Sequence, residues 1–154
     1  MDDHGVVRRG LRGYLELVED IELVGEAADG QAALDTVAAL VARGRAPHVM
    51  LMDLLMPGMD GVTATRLLTQ RHPGIAVVAM TSYSEVDRIR SALEAGASGY
   101  LLKDAEADEI TDGIRRAHYG DMPLGAAVSR QLARAFATAG RAAVDALTAR
   151  EHEV

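Results

Sequence analysis

His48-Val49-Met50-Leu51-Met52-Asp53-Leu54-Leu55-Met56-Pro57-Gly58-Met59-Asp60-Gly61 is the stretch that decides the fold class. The apolar run from Val49 to Met52 is too short for a helix, and the turn signals Pro57-Gly58 and Asp60-Gly61 follow it closely. It reads as a strand buried on both faces, the kind found inside parallel sheets. Asp53 then stands at the strand's C-terminal tip, the edge at which open α/β sheets bind ligands. The competing reading is a solvated loop aspartate that merely ends the strand, and this stretch alone leaves both open.

Working outward, Gly61 to Arg71 forms a helix halted by Pro73, and Ile75 to Met80 is a second wholly apolar run ending in Thr81-Ser82. A helix carrying Val86, Ile89 and Leu93 closes at Gly96, Ser98 to Leu102 is a strand ending at Lys103-Asp104, and Ile110 and Ile114 mark a helix that stops near Gly120. Upstream, Val7, Leu11, Leu15 and Val18 stripe a helix over roughly residues 5–19. Ile21 to Ala28 reads as a short strand. Asp29-Gly30 then turns the chain into a helix bearing Leu34, Val37 and Val41, closed by Gly44. Strands and helices alternate throughout, so the expected class is α/β, a doubly wound parallel sheet with helices on both faces.

Composition narrows the function classes. The 154 residues are 49% hydrophobic and 25% charged, enough for one ordinary core and a tail. Cysteine is absent, so disulfides and thiolate metal sites are excluded. No apolar stretch reaches membrane-spanning length and the acidic N-terminus is unlike a signal peptide, from which a cytoplasmic setting is expected. A net charge of −7 and few aromatic residues argue against direct nucleic-acid binding by this chain. None of the five histidines shows ligand spacing with another, so no zinc site is expected.

Three strands finish on polar residues, Asp53, Thr81 and Lys103, and in a parallel sheet their ends share one edge. Asp2 and Asp3 fall where a strand preceding the first helix would end. Two or three carboxylates make a hard oxygen site suited to Mg²⁺. Asp53 can act as a nucleophile towards phosphorus, with the metal and Lys103 neutralising the phosphoryl oxygens and Thr81 hydrogen-bonding the product. Each residue also has a plainer role: Asp2-Asp3 as an acidic helix entry, Thr81 as a cap, Lys103 as a surface lysine and Tyr100 as core. The methionines around Asp53 read as core and turn filler.

Asp2-Asp3-His4, the run Asp53 to Gly61, Thr81-Ser82-Tyr83, Ala95-Gly96-Ala97 and Gly99-Tyr100-Leu101-Leu102-Lys103-Asp104-Ala105 occur in the order of a known family. Through them the chain resembles the receiver domain of two-component response regulators of the LuxR/NarL type. The resemblance implies a flavodoxin-like sheet of order 2-1-3-4-5. It also implies Asp53 as phosphoacceptor, and Mg²⁺ held by Asp3, Asp53 and the backbone carbonyl of Leu55, with Asp2 assisting through water. Thr81 and Tyr100 would be the switch pair and Lys103 the phosphate-binding lysine. The phosphodonor histidine would belong to a sensor histidine kinase. Phosphorylation would draw Thr81 inwards, let Tyr100 rotate into the interior and change the partner affinity of the surrounding face, with a homodimer as the active form.

Residues 1–119 are expected to form the receiver and 120–146 a linker with one short helix. Residues 147–154 resemble the opening of a LuxR-type helix-turn-helix domain, with Thr148 and Glu151 at capping-box spacing. DNA would be reached only through the rest of that domain, making the whole protein a transcription regulator rather than a turnover enzyme. The front end departs from the family, because only Met1 precedes Asp2 where a buried apolar strand is expected. That strand would be central. Its absence predicts a fragment or misassigned start, a compromised sheet and a weakened metal site. Two other classes stay open. One is an aspartyl-nucleophile phosphatase, disfavoured by Leu55 where a second acid is wanted. The other is an unphosphorylated receiver-like protein-interaction module.

Overall fold

The computed structural model describes residues 5–56, 58–82 and 86–152. Its elements are α1 (Gly5–Leu15), α2 (Gly30–Ala42), β1 (Val49–Asp53), α3 (Gly61–Arg71), β2 (Ala76–Thr81), α4 (Val86–Glu94), β3 (Gly99–Leu102), α5 (Ala107–His118) and α6 (Ala126–His152). The strands form a parallel sheet of order β1-β2-β3, with Asp53 opposite Met80 and Thr81 opposite Leu102. Parallel pairing of consecutive strands requires a crossover, which α3 and α4 supply.

The alternating strand residues feed separate cores. Met50 and Met52 pack with Ala33, Leu34, Val37, Ala64 and Leu68 from α2 and α3. Val49 and Leu51 face the other way, towards Val78, Met80, Leu101, Leu11, Ile110 and Ile114. A third cluster joins Leu54, Ala79, Ile89, Ala92, Tyr100 and Val128, tying α6 to α4 and β3. Helix starts follow local chemistry: Asp29 and Asp60 are N-caps whose carboxylates accept from the N–H groups of Ala32 and Thr63, each at 2.8 Å. Gly44 and Gly96 leave α2 and α4 at φ +71° and +104°, where a side chain would be strained.

Three expectations need correction. Ile21 to Ala28 does not form a strand: residues 21–27 are irregular, and among the described residues no strand lies beside β1 to receive their hydrogen bonds. The first helix ends at Leu15, because Glu16 to Val18 close it with bonds back to Arg12, Tyr14 and Leu15. The short linker helix is instead the 27-residue α6, which runs without a break from the expected linker into the stretch assigned to the next domain. Ten alanines make it strongly helix-forming, and the cost of one internal glycine, Gly140, is about 1 kcal/mol.

Candidate functional site

β1 ends at Asp53, which is 1% exposed although it is a carboxylate. Burial of such a group is costly unless both oxygens are partnered. Here Lys103, just beyond β3, donates from Nζ to Oδ2 at 2.8 Å, and the Leu55 N–H donates to Oδ1 at 3.1 Å. The Lys103 side chain is only 13% exposed, so the pair is largely shielded from solvent.

The two groups are 50 residues apart in sequence and meet because both strands end on one edge. Thr81, fully buried, sits at the tip of β2 between them, and its carbonyl accepts the Lys103 N–H at 2.8 Å. Tyr100 lies on β3 opposite Ala79 and is completely enclosed with Leu54, Ile89 and Val128. The structure therefore brings Asp53, Thr81 and Lys103 to one place and puts Tyr100 in the adjoining apolar cluster. Asp2 and Asp3 lie outside the described residues.

Gly61 is a feature that sequence reasoning missed. A Cβ there would collide with the Asp53 carbonyl and the Leu54 Cα, so only glycine lets α3 begin directly against the strand tip. The signal was the Asp60-Gly61 pair, which reads as a turn but also encodes this close approach. The Gly61 N–H donates to the Leu54 carbonyl at 3.1 Å, fixing the loop after Asp53. Beside it runs an open groove of about 220 Å³, with Leu54, Leu55 and Val62 on one side and Asp87, Arg88 and Ser91 on the other.

As for a metal, Asp53 supplies hard carboxylate oxygen of the kind Mg²⁺ prefers, next to the Leu55 backbone. Among the described residues no group of three or more His, Cys, Asp or Glu side chains could hold a metal, so a complete site needs further ligands. Also among the described residues, no helix is long and apolar enough to cross a membrane.

Comparison with known proteins identifies the family. The model of the response regulator receiver domain matches residues 1–115. The transcriptional regulatory protein LiaR of Bacillus subtilis is 38% identical over the whole of this chain and 72% of its own length. Other curated relatives are matched over 56% of their own length. The crystal structure of a LuxR-family two-component response regulator from Aurantimonas superposes with a TM-score of 0.78 and 29% identity, covering 88% of this chain and 94% of that one. A structure of two RcsB dimers bound to two parallel DNAs is matched at TM-score 0.75 and 27% identity, over 85% of this chain and 64% of that one.

Proposed function

The chain belongs to the response regulator receiver family, and from that premise we propose that Asp53 accepts a phosphoryl group from the phosphohistidine of a sensor histidine kinase. The observation that carries this reading is a carboxylate 1% exposed at a strand tip and held 2.8 Å from a lysine ammonium. An Asp53 oxygen attacks phosphorus, the P–N bond breaks, and the departing imidazole keeps the electron pair. Lys103 shifts its charge onto the phosphoryl oxygens, and the Thr81 hydroxyl donates to one of them.

Receiver domains bind Mg²⁺; here Asp2, Asp3, Asp53 and the Leu55 carbonyl would hold it, and the ion would supply charge neutralisation for the incoming phosphoryl group. Tyr100 is already enclosed, so in this reading phosphorylation holds the inward arrangement rather than creating it. The reader of the switch is a DNA-binding domain following α6, with the receiver pairing into a homodimer. The RcsB dimers on DNA support that arrangement by likeness. The family reading makes the chain a phosphoacceptor and not a turnover enzyme.

Acetyl phosphate with Mg²⁺ should add about 80 Da to the protein, and Asp53→Asn should abolish the adduct. Undiminished labelling of the variant would discard the assignment. Lys103→Ala should still bind Mg²⁺ but respond weakly to the phosphodonor. A second reading, an unphosphorylated protein-interaction module, is favoured by an open apolar cleft of about 140 Å³ lined by Val49, Met50 and Leu51 of β1 and by residues 21–27. Beryllofluoride binding at Asp53 would exclude it.

A further inference from the structure

His48 and His118 are 70 positions apart in sequence, and the fold brings their rings together, with centroids 4.8 Å apart and planes inclined by 52°. Both side chains are exposed. The pair sits where β1 begins and α5 ends, about 17 Å along the strand from Asp53, so it is separate from the site at the strand tips. Spacing along the chain conceals it, because the two rings come from different elements.

Each imidazole stands on fixed backbone. The His48 carbonyl accepts the Ala76 N–H at 3.0 Å, which ties the entry to β1 into the sheet. Ala117 is buried in the cluster under α5, and the helix end is closed by bonds from the Gly120 N–H to the Ala117 carbonyl and from the Asp121 N–H to the Arg116 carbonyl, at 3.2 and 2.9 Å. The Tyr119 ring, 5.2 Å from that of His118, narrows the space in which His118 turns. Arg115 spends its charge on Asp20 at 2.8 Å, and Arg116, two residues before His118, projects from another side of the helix.

We propose that His48 and His118 form a two-imidazole site for a borderline divalent cation of the Ni²⁺, Cu²⁺ and Zn²⁺ class. Metal–nitrogen bonds of about 2.0–2.1 Å meeting at about 90–110° put two ring centroids about 4.5–5.3 Å apart, and the 4.8 Å separation falls inside that range. Rings inclined at 52° are not stacked face to face, and rotation about the outer side-chain bond, whose preferences are broad, turns a nitrogen of each towards a common point. Imidazole nitrogen selects this class of ion over Mg²⁺, which takes oxygen. Two ligands on rigid elements act as a chelate: once one imidazole holds the ion, the other meets it at high effective concentration. Among the described residues no third His, Cys, Asp or Glu completes the group, so water fills the remaining positions. The bound ion staples the end of α5 to the start of β1. The inference does not depend on phosphoryl chemistry at Asp53.

The test is calorimetric titration of the untagged 154-residue protein with Ni²⁺ in excess Mg²⁺, which occupies carboxylate sites, alongside NMR of the histidine ring protons. The expected result is one-to-one binding, with paramagnetic broadening that reaches the His48 and His118 resonances first. His48→Gln and His118→Gln should each weaken binding at least about tenfold, and the double variant little further, because a single imidazole forms no chelate. Both side chains are exposed, so these variants keep the fold. His72→Gln and Asp53→Asn should bind Ni²⁺ as the parent does. Unchanged affinity in either His48→Gln or His118→Gln, broadening centred on other histidines, or a loss confined to Asp53→Asn would overturn the proposal.

Discussion

The two edges of the sheet are finished in opposite ways. At β3 the irregular stretch 123–125 lies alongside Tyr100, whose N–H donates to the Pro123 carbonyl at 3.0 Å and whose carbonyl accepts the Gly125 N–H at 3.2 Å. Gly99 leaves no room for a Cβ beside Pro123, so that contact is close as well as hydrogen-bonded. At β1 the neighbouring stretch 21–27 is comparably apolar and is fixed by ion pairs at Glu22 and Glu26 and by a third at the adjoining Asp20, yet among the described residues it makes no backbone bond. Apolar composition brings a segment to a sheet edge; only a partner at about 4.8 Å turns it into part of the sheet.

Hydrogen exchange should expose the largest difference. Amides of Tyr100 and Gly125 should exchange orders of magnitude more slowly than those of Leu23 to Glu26, and equal protection of the two stretches would erase the contrast. Next in size is a pair of glycine substitutions. Gly99→Ala must displace the Pro123 backbone, 2.7 Å from the new Cβ, and should cost about 1–3 kcal/mol in denaturant unfolding. Gly25→Ala meets only side-chain methyls beside a cleft and should stay within about 1 kcal/mol of the parent.

The smallest effect is electrostatic. The hydrogen bond from Arg115 holds the Asp20 carboxyl below its usual pKa, while the same contact raises Arg115. A lowered acid stabilises the fold above its unfolded pKa and loses that contribution as pH falls through the folded value. Asp20→Asn should therefore leave acid unfolding slightly less steep, with little change at neutral pH because the pair is exposed. A large neutral-pH loss would mean that Asp20 anchors residues 21–27 more firmly than an exposed ion pair can.

Much of this was legible in the sequence because it was local. The span of α3 follows from Asp60, Gly61 and Pro73, and the strands ending at Asp53 and Thr81 follow from unbroken apolar runs between turn signals. The meeting of Asp53 with Lys103 was legible one step further, since parallel strands must bring their tips to one edge. What could not be read depended on partners. Ile21 to Ala28 has strand composition, but strand formation is a property of two segments, and a single sequence window contains one. The stretch 137–146 looked like a linker through its small residues, although alanine is the best helix former and Leu132 and Val128 seat the start of that helix. The close approach at Gly61 needed the neighbouring backbone in place before its purpose could be seen.

Helix α6 carries a mechanical consequence. Its first turns are clamped by Val128, fully buried against Tyr100 and Ile89, while residues 136–141 stand clear of the body. Twenty-seven helical residues span about 40 Å, so a tilt of roughly 5° at the clamped end sweeps the far end through about 3 Å. Repacking by a fraction of an ångström around one tyrosine is thereby geared up to the size of an interatomic contact at the far end of the helix.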